Sequence, residues 1–115
     1  MMNQRLGWLA VLGFVFVGQA VAADEATIQK GKQVFEYWCA ACHGPGLPGT
    51  VALETKYKGS KPALLDQRTD LSPALTKTFV RKGVSIMPFF RKTEISDADL
   101  DALADYLARN AGARK

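Results

Sequence analysis

The sequence predicts a small all-α domain built around a bound group. Three observations carry that prediction. Apolar residues recur three and four apart over most of the chain, as in Ile28, Gly31, Val34, Phe35 and Trp38. No run of period-two alternation reads as a strand. Both cysteines fall in one five-residue run, Cys39-Ala40-Ala41-Cys42-His43. The chain has 115 residues, which leaves room for one domain and not for two ordinary ones.

The first 22 residues are expected to be a secretory signal peptide. Arg5 supplies the positive flank, Leu6 to Val17 is apolar and uncharged, and Ala20-Val21-Ala22 has the small-x-small form of a cleavage site. The rival is an uncleaved anchor, because Leu6 to Ala23 carries no charge. The short apolar core and its Ala-x-Ala end favour cleavage and a periplasmic protein with no membrane anchor. The remaining domain, 23–115, keeps all 11 acids and loses one base, for a net charge of +3. A domain so short has a thin core, and such domains commonly need a disulfide, metal or cofactor. Two cysteines are too few for a disulfide scaffold. No Lys/Arg run exceeds two residues, which argues against nucleic-acid binding.

The elements follow in order. The spacing predicts a first helix over Ala26 to Ala41. Residues 44–63 are punctuated by Gly44-Pro45-Gly46, Pro48-Gly49, Gly59 and Pro62, and read as loop, with a turn of helix near Leu64. Ser72-Pro73 opens a helix with a capping residue and a proline at its first position. Gly83 stops that helix after Arg81 and Lys82, cations suited to a helix C-terminus. Residues 84–94 form a second loop around Met87-Pro88. Ser96-Asp97-Ala98-Asp99 resembles a capping box with Asp in place of Glu. The helix after it buries Leu100, Leu103, Ala104 and Leu107 and ends before Gly112.

Cys-x-x-Cys-His is the attachment signature of c-type haem. Cysteines three apart on a helical turn point the same way, so both thiols reach the two vinyl groups of one porphyrin. His43 is then placed as an axial ligand. A thioredoxin-like dithiol wants a strand before the motif, whereas a helix precedes it here. A structural zinc site wants four ligands, and the chain offers two Cys and one His. A disulfide across two residues would be strained.

The second axial ligand follows by elimination. His43 is the sole histidine. Met1 and Met2 leave with the signal peptide, so Met87 is the thioether of the domain. Filling core space is the usual fate of a methionine, and an open position or a lysine ligand are the other readings. A thioether is a soft donor that favours Fe(II) and raises the potential. An iron with both axial positions filled is suited to one-electron transfer and not to catalysis.

With these residues the sequence resembles a class I cytochrome c over essentially the whole domain. Gly31 and Phe35 match the family's N-terminal helix contacts, and Leu103 and Tyr106 their C-terminal partners. The resemblance implies two terminal helices crossing beside one covalent haem c. It also implies a proline carbonyl accepting from His43 Nδ1, with Pro48 the candidate. Pro48-Gly-Thr-Val-Ala-Leu53, Tyr57-Lys-Gly59, Gln67-Arg-Thr-Asp-Leu71 and the Met87 stretch are similar to cytochrome subunits paired with FAD-dependent para-alkylphenol hydroxylases. That resemblance implies a flavoprotein donor and a downstream acceptor protein. A freely diffusing carrier to a terminal oxidase or peroxidase is the alternative, and a haem enzyme or gas sensor with Met87 released is another.

Several residues have two readings each. Arg81 bonds a haem propionate or anchors the Met87 loop, or is a solvated helix-end cation. Trp38 and Tyr57 are core aromatics or haem contacts. Lys77, Arg81, Lys82, Arg91 and Lys92 bracket the Met87 loop, while Glu94, Asp97, Asp99, Asp101 and Asp105 follow. That order steers an acidic partner to the loop, or it makes two solvated faces. Phe89-Phe90 cannot both face inward, so one of the pair is expected at the surface.

Overall fold

The computed structural model describes residues 18–112. Most of the expected signal peptide lies outside the described residues. The elements are α1 (Gly18–Trp38), α2 (Ala40–His43), α3 (Pro48–Tyr57), a 3-10 turn (Leu65–Gln67), α4 (Pro73–Lys82) and α5 (Asp97–Ala108). Among the described residues there is no strand, only an isolated bridge between Val84 and Met87. No helix among them is long and apolar enough to cross a membrane. The all-α expectation holds.

The core forms where α1 crosses α5 and α4 packs beside them. Val34, Phe35, Leu71, Val80, Ile95, Leu100, Leu103, Tyr106 and Leu107 make one buried cluster. The crossing is close at Gly31, where a Cβ would lie 2.0 Å from the Ala102 carbonyl oxygen. One turn on, the Phe35 and Tyr106 rings meet at 5.9 Å. Absence of a side chain brings the backbones together, and the rings fill the space beside them.

The caps explain where α4 and α5 begin. Ser72 Oγ accepts from the Leu75 amide at 3.2 Å with Pro73 following. Ser96 Oγ accepts from the Asp99 amide at 3.1 Å. The return leg of a capping box is not made. The Asp99 carboxylate, one methylene shorter than Glu, pairs with Lys30 at 3.2 Å instead.

The expected loop over 44–63 contains a ten-residue helix, α3. Gly and Pro were counted across the segment, but their positions matter. Pro48 occupies the first turn, where its missing N–H costs nothing. Gly59, with φ +81°, lies beyond the end, after Lys58 takes φ +47°. Between Gly49 and Lys58 the sequence has no breaker.

After α3 the chain folds over Tyr57. Arg68 is only 4% exposed and reaches Asp70 through two bonds, Nε to Oδ1 at 2.6 Å and Nη2 to Oδ2 at 2.8 Å. Its guanidinium lies 4.7 Å from the Tyr57 ring centre, and Lys61 also donates to Asp70 at 2.6 Å. Arg68 foremost, then Lys61, holds the Asp70 carboxyl well below the usual carboxylate range. A depressed folded-state pKa adds stability at neutral pH that fades as pH falls below about 4. Asp70→Asn is expected to cost about 2 kcal/mol at neutral pH, because it strands a buried guanidinium; the exposed side of Asp70 keeps the cost below that of a wholly buried pair. The variant should also flatten the acid limb of the stability curve. Urea unfolding at neutral and acid pH checks this, and equal midpoints for both proteins would contradict it.

The chain end closes this region. Arg109 and Asn110 donate to the Asp66 carbonyl at 3.0 and 2.9 Å. The Gly112 amide reaches the Thr69 carbonyl at 3.2 Å.

Candidate functional site

The helix predicted over Ala26 to Ala41 breaks at Cys39, and the break shapes the site. Cys39 ends the α1 ladder by donating its amide to Phe35 O at 2.9 Å. Its carbonyl then accepts from Cys42 at 3.1 Å and from His43 at 2.9 Å, starting the single turn α2. Cys39, Cys42 and His43 therefore ride on one helical turn that pivots off α1. Both cysteines are free thiols, Cys39 half-buried and Cys42 exposed. Burial, then the neighbouring Cys42, pushes the Cys39 pKa up to about 12. At neutral pH that thiol stays protonated and slow to oxidise.

The wall behind His43 is the start of α3. Thr50, almost fully buried, donates to the Gly44 carbonyl at 2.8 Å. A Cβ at Gly49 would lie 3.1 Å from His43 Cε1 and 3.2 Å from Nδ1. The Nδ1–Cε1 edge of the ring thus faces the α3 backbone, which leaves Nε2 for a metal. Burial lowers the His43 pKa, so the imidazole is neutral, the form that ligates. Nδ1 is buried without a hydrogen-bond partner. The expected bond to the Pro48 carbonyl is therefore not made. Pro48 is the first residue of α3, and its carbonyl belongs to that helix's ladder.

Met87 is carried on a braced loop that follows α4. Gly83 caps α4 with φ +70°, and a Cβ there would meet the Met87 carbonyl at 2.8 Å. Val84 and Met87 exchange both backbone bonds, at 3.1 and 2.9 Å, around a two-residue turn. Phe90 donates its amide to Val80 O at 2.7 Å. Arg81 anchors the loop: it donates to the Phe90 carbonyl at 3.2 Å and to Asp97 at 2.9 Å. Met87 and Cys39 are both half-buried against the same core cluster. Phe90 packs edge-on against Trp38 at 5.9 Å, and Phe89 points outward. Trp38 packs on Phe90, and Tyr57 lies under the Arg68 guanidinium.

The expected separation of charge does not occur. Lys77 pairs with Asp101 at 2.6 Å, Arg81 and Lys92 share Asp97 at 2.9 and 2.7 Å, and Arg91 pairs with Glu94 at 3.4 Å. Asp97 and Asp101 of α5 thus reach back to cations of α4 and to Lys92 of the loop.

These residues fit a haem. Two thiols share a turn, and a neutral imidazole carries a buried, unpartnered Nδ1. Leu47, Val51, Leu75 and Phe79 remain more than a third exposed. Leu47 lies over Gly44, 3.0 Å from where a Cβ would stand. Leu75 and Phe79 stack one turn apart on α4, beside the buried stripe of Thr76 and Val80. Sequence reading missed α3, the buried Arg68 and the reciprocal Val84–Met87 bonds. The Pro48 position and the cation–acid spacing were the available signals.

Residues 26–107 match the family described as cytochrome c oxidase, cbb3-type, subunit III. Relatives include the cbb3-type cytochrome c oxidase subunit CcoP of Azospirillum sp. (strain B510), 31% identical over 90% of this chain and 36% of that protein. The CcoP of Azospirillum brasilense is 29% identical over 81% of this chain and 32% of its own length. Cytochrome c6 of Picosynechococcus sp. (strain ATCC 27264 / PCC 7002 / PR-6) is 35% identical over 85% of this chain and 83% of its length. The chain spans about a third of the length of the CcoP relatives. No solved structure matches it.

Proposed function

The chain belongs to the c-type cytochromes, electron carriers with covalently bound haem c, and on that premise we propose how its own residues hold that haem and which proteins it serves. Cys39 and Cys42 form the two thioethers, and His43 Nε2 and Met87 Sδ are the axial ligands. The observation that carries this is the single turn α2, which groups both thiols with a neutral imidazole, while Met87 is braced against the same core as Cys39. Bound haem c supplies a one-electron Fe(III)/Fe(II) couple.

The protein's part is to keep the ligand set fixed. The α3 backbone behind His43 prevents the ring from tilting toward α3. The Val84–Met87 bonds and the Arg81 anchor stop the thioether from swinging away. Ligands that move little between oxidation states keep the reorganisation small, which suits rapid electron exchange. Leu47, Val51, Leu75 and Phe79 would cover the bound group and keep water from it.

The 1–22 segment is a signal peptide and the domain works in the periplasm, a reading supported by the apolar stretch and its Ala-x-Ala end. The donor is a FAD-dependent para-alkylphenol hydroxylase subunit, a reading supported by the stretches that begin at Pro48, Tyr57 and Gln67. A second reading makes the chain a carrier to a terminal oxidase, and the likeness to oxidase subunits favours it. Purification of the tagged protein from periplasm separates the two. Haem with bound flavin supports the first, and haem with oxidase subunits supports the second.

Met87→Ala tests the ligand assignment. The oxidised variant is expected to lose the weak far-red iron–sulfur absorption and, once reduced, to bind carbon monoxide, which the parent does not. A retained far-red band would remove Met87 from the ligand set.

A further inference from the structure

We propose that Gly49 and Thr50 are positioning residues for the axial imidazole: together they fix the angle to which the His43 ring is turned about its Nε2 bond to the haem iron. The proposal rests on His43 being an axial ligand. A ligated imidazole keeps one soft freedom, rotation about the metal–nitrogen bond. The groups behind the ring set that angle, and the angle governs how the unpaired electron density of Fe(III) spreads over the porphyrin. Commonly a hydrogen bond from the second ring nitrogen does the orienting. Here Nδ1 is buried with no hydrogen-bond partner among the described residues. The ring edge meets bare backbone instead. A Cβ at Gly49 would stand 3.1 Å from Cε1, 3.2 Å from Nδ1 and 2.8 Å from the Cys42 carbonyl oxygen. The last of these is backbone and cannot swing aside, so a larger residue must push α3 away or turn the ring. Gly49 is not among the glycines with positive φ. Space, and not backbone angle, is what calls for a glycine here.

A wall orients a ring only if the wall is held. Thr50 is 1% exposed, and its hydroxyl donates to the Gly44 carbonyl at 2.8 Å. The same carbonyl accepts the Leu47 amide at 3.2 Å, and the Gly44 amide donates to the Ala40 carbonyl at 2.9 Å. Gly44 directly follows His43 in the chain. The Thr50 bond therefore ties the start of α3 to the residue next to the ligand. Little else holds α3, because Thr50 is the one side chain it buries. A single hydroxyl thus governs how firmly Gly49 is kept against the ring.

The test reads the ring angle by proton NMR of the haem-loaded protein. In the oxidised form, the order and spread of the four haem methyl resonances report how the axial ligands are turned. Gly49→Ala is expected to change that order or spread. Thr50→Val keeps the shape of the side chain and loses the donor. It is expected to shift the methyl resonances and to make the Nδ1 proton exchange with deuterium about tenfold faster or more, because the wall opens more often. Thr50→Ser restores the donor and should return both readings to those of the parent. Ala52→Gly is the control. Ala52 is exposed on α3, so the change weakens the helix through propensity alone and should leave the methyl pattern as it is.

A methyl pattern unmoved in both Gly49→Ala and Thr50→Val would overturn the proposal, since something other than this contact would then set the angle. A pattern that moves as far in Ala52→Gly would also overturn it, because any loosening of α3 would suffice. The reduced parent tells these results apart from failure of the ligand reading. There the ring protons of an axial histidine are displaced upfield by the porphyrin ring current. His43 protons without that displacement would remove the ligand assignment, and the proposal with it, before any variant is compared.

Discussion

Gly31→Val is expected to cost about 3 kcal/mol or more and to lower the melting temperature by about 15 °C. A Cβ at this position would stand 2.0 Å from the Ala102 oxygen, 2.6 Å from its carbonyl carbon and 2.6 Å from Tyr106 Cβ. None of these atoms is the tip of a flexible side chain, so none can swing aside. The helices must instead part. Parting them opens the cluster in which Val34, Phe35, Leu103 and Tyr106 are nearly all buried. In a domain this small there is no second core to take up the loss. Gly31→Ala carries the same clash and should reproduce most of the effect, which separates backbone approach from side-chain bulk. Thermal unfolding of the haem-loaded proteins, followed by far-UV circular dichroism, reads both. A melting temperature within about 3 °C of the parent would mean that the crossing yields easily.

What the sequence allowed and what it hid divide along physical lines. The haem motif was legible because attachment chemistry fixes both residue types and spacing. The caps of α4 and α5 were legible because Ser72 and Ser96 act locally, through bonds to amides three residues on. The α1–α5 crossing came from the likeness of Gly31, Phe35, Leu103 and Tyr106 to a known family's contacts. The α3 helix was missed because Pro48 and Gly59 are breakers in an interior but termini here. The Arg68 cluster was invisible because Arg68 and Asp70 stand two apart, while the Tyr57 ring that covers the guanidinium lies eleven residues back. Nor did linear charge order predict pairing. Lys77 and Asp101 are far apart in sequence and meet only because α4 packs on α5. The Pro48 carbonyl was a reading from family likeness alone, and His43 Nδ1 is buried without a partner.

Replacing both Cys39 and Cys42 by alanine is expected to yield a chain that lacks covalent haem and is largely unfolded. The burial pattern gives the reason. All of the buried apolar cluster comes from α1, α4, α5 and the segments leading into α4 and α5. By contrast, α2 buries no side chain, and α3 buries only Thr50. Leu47, Val51, Leu75 and Phe79 wait with more than a third of their surface in water. Without the haem these side chains have nothing to cover them, and burying the exposed remainder of each would otherwise contribute about 0.5–1 kcal/mol. A ten-residue helix with no packed face is marginal on its own, so α2 and α3 should melt first. The wall behind His43 and the Thr50–Gly44 clamp go with them. What remains is a three-helix remnant close to the lower size limit for an independent fold. Far-UV circular dichroism should show reduced helicity and no cooperative transition. Amide exchange should be unprotected over 40–57 and weak over α1, α4 and α5. A cooperative transition with helicity near that of the parent would show that the helices close the core unaided, and that the haem is lodged in the fold without being part of its foundation.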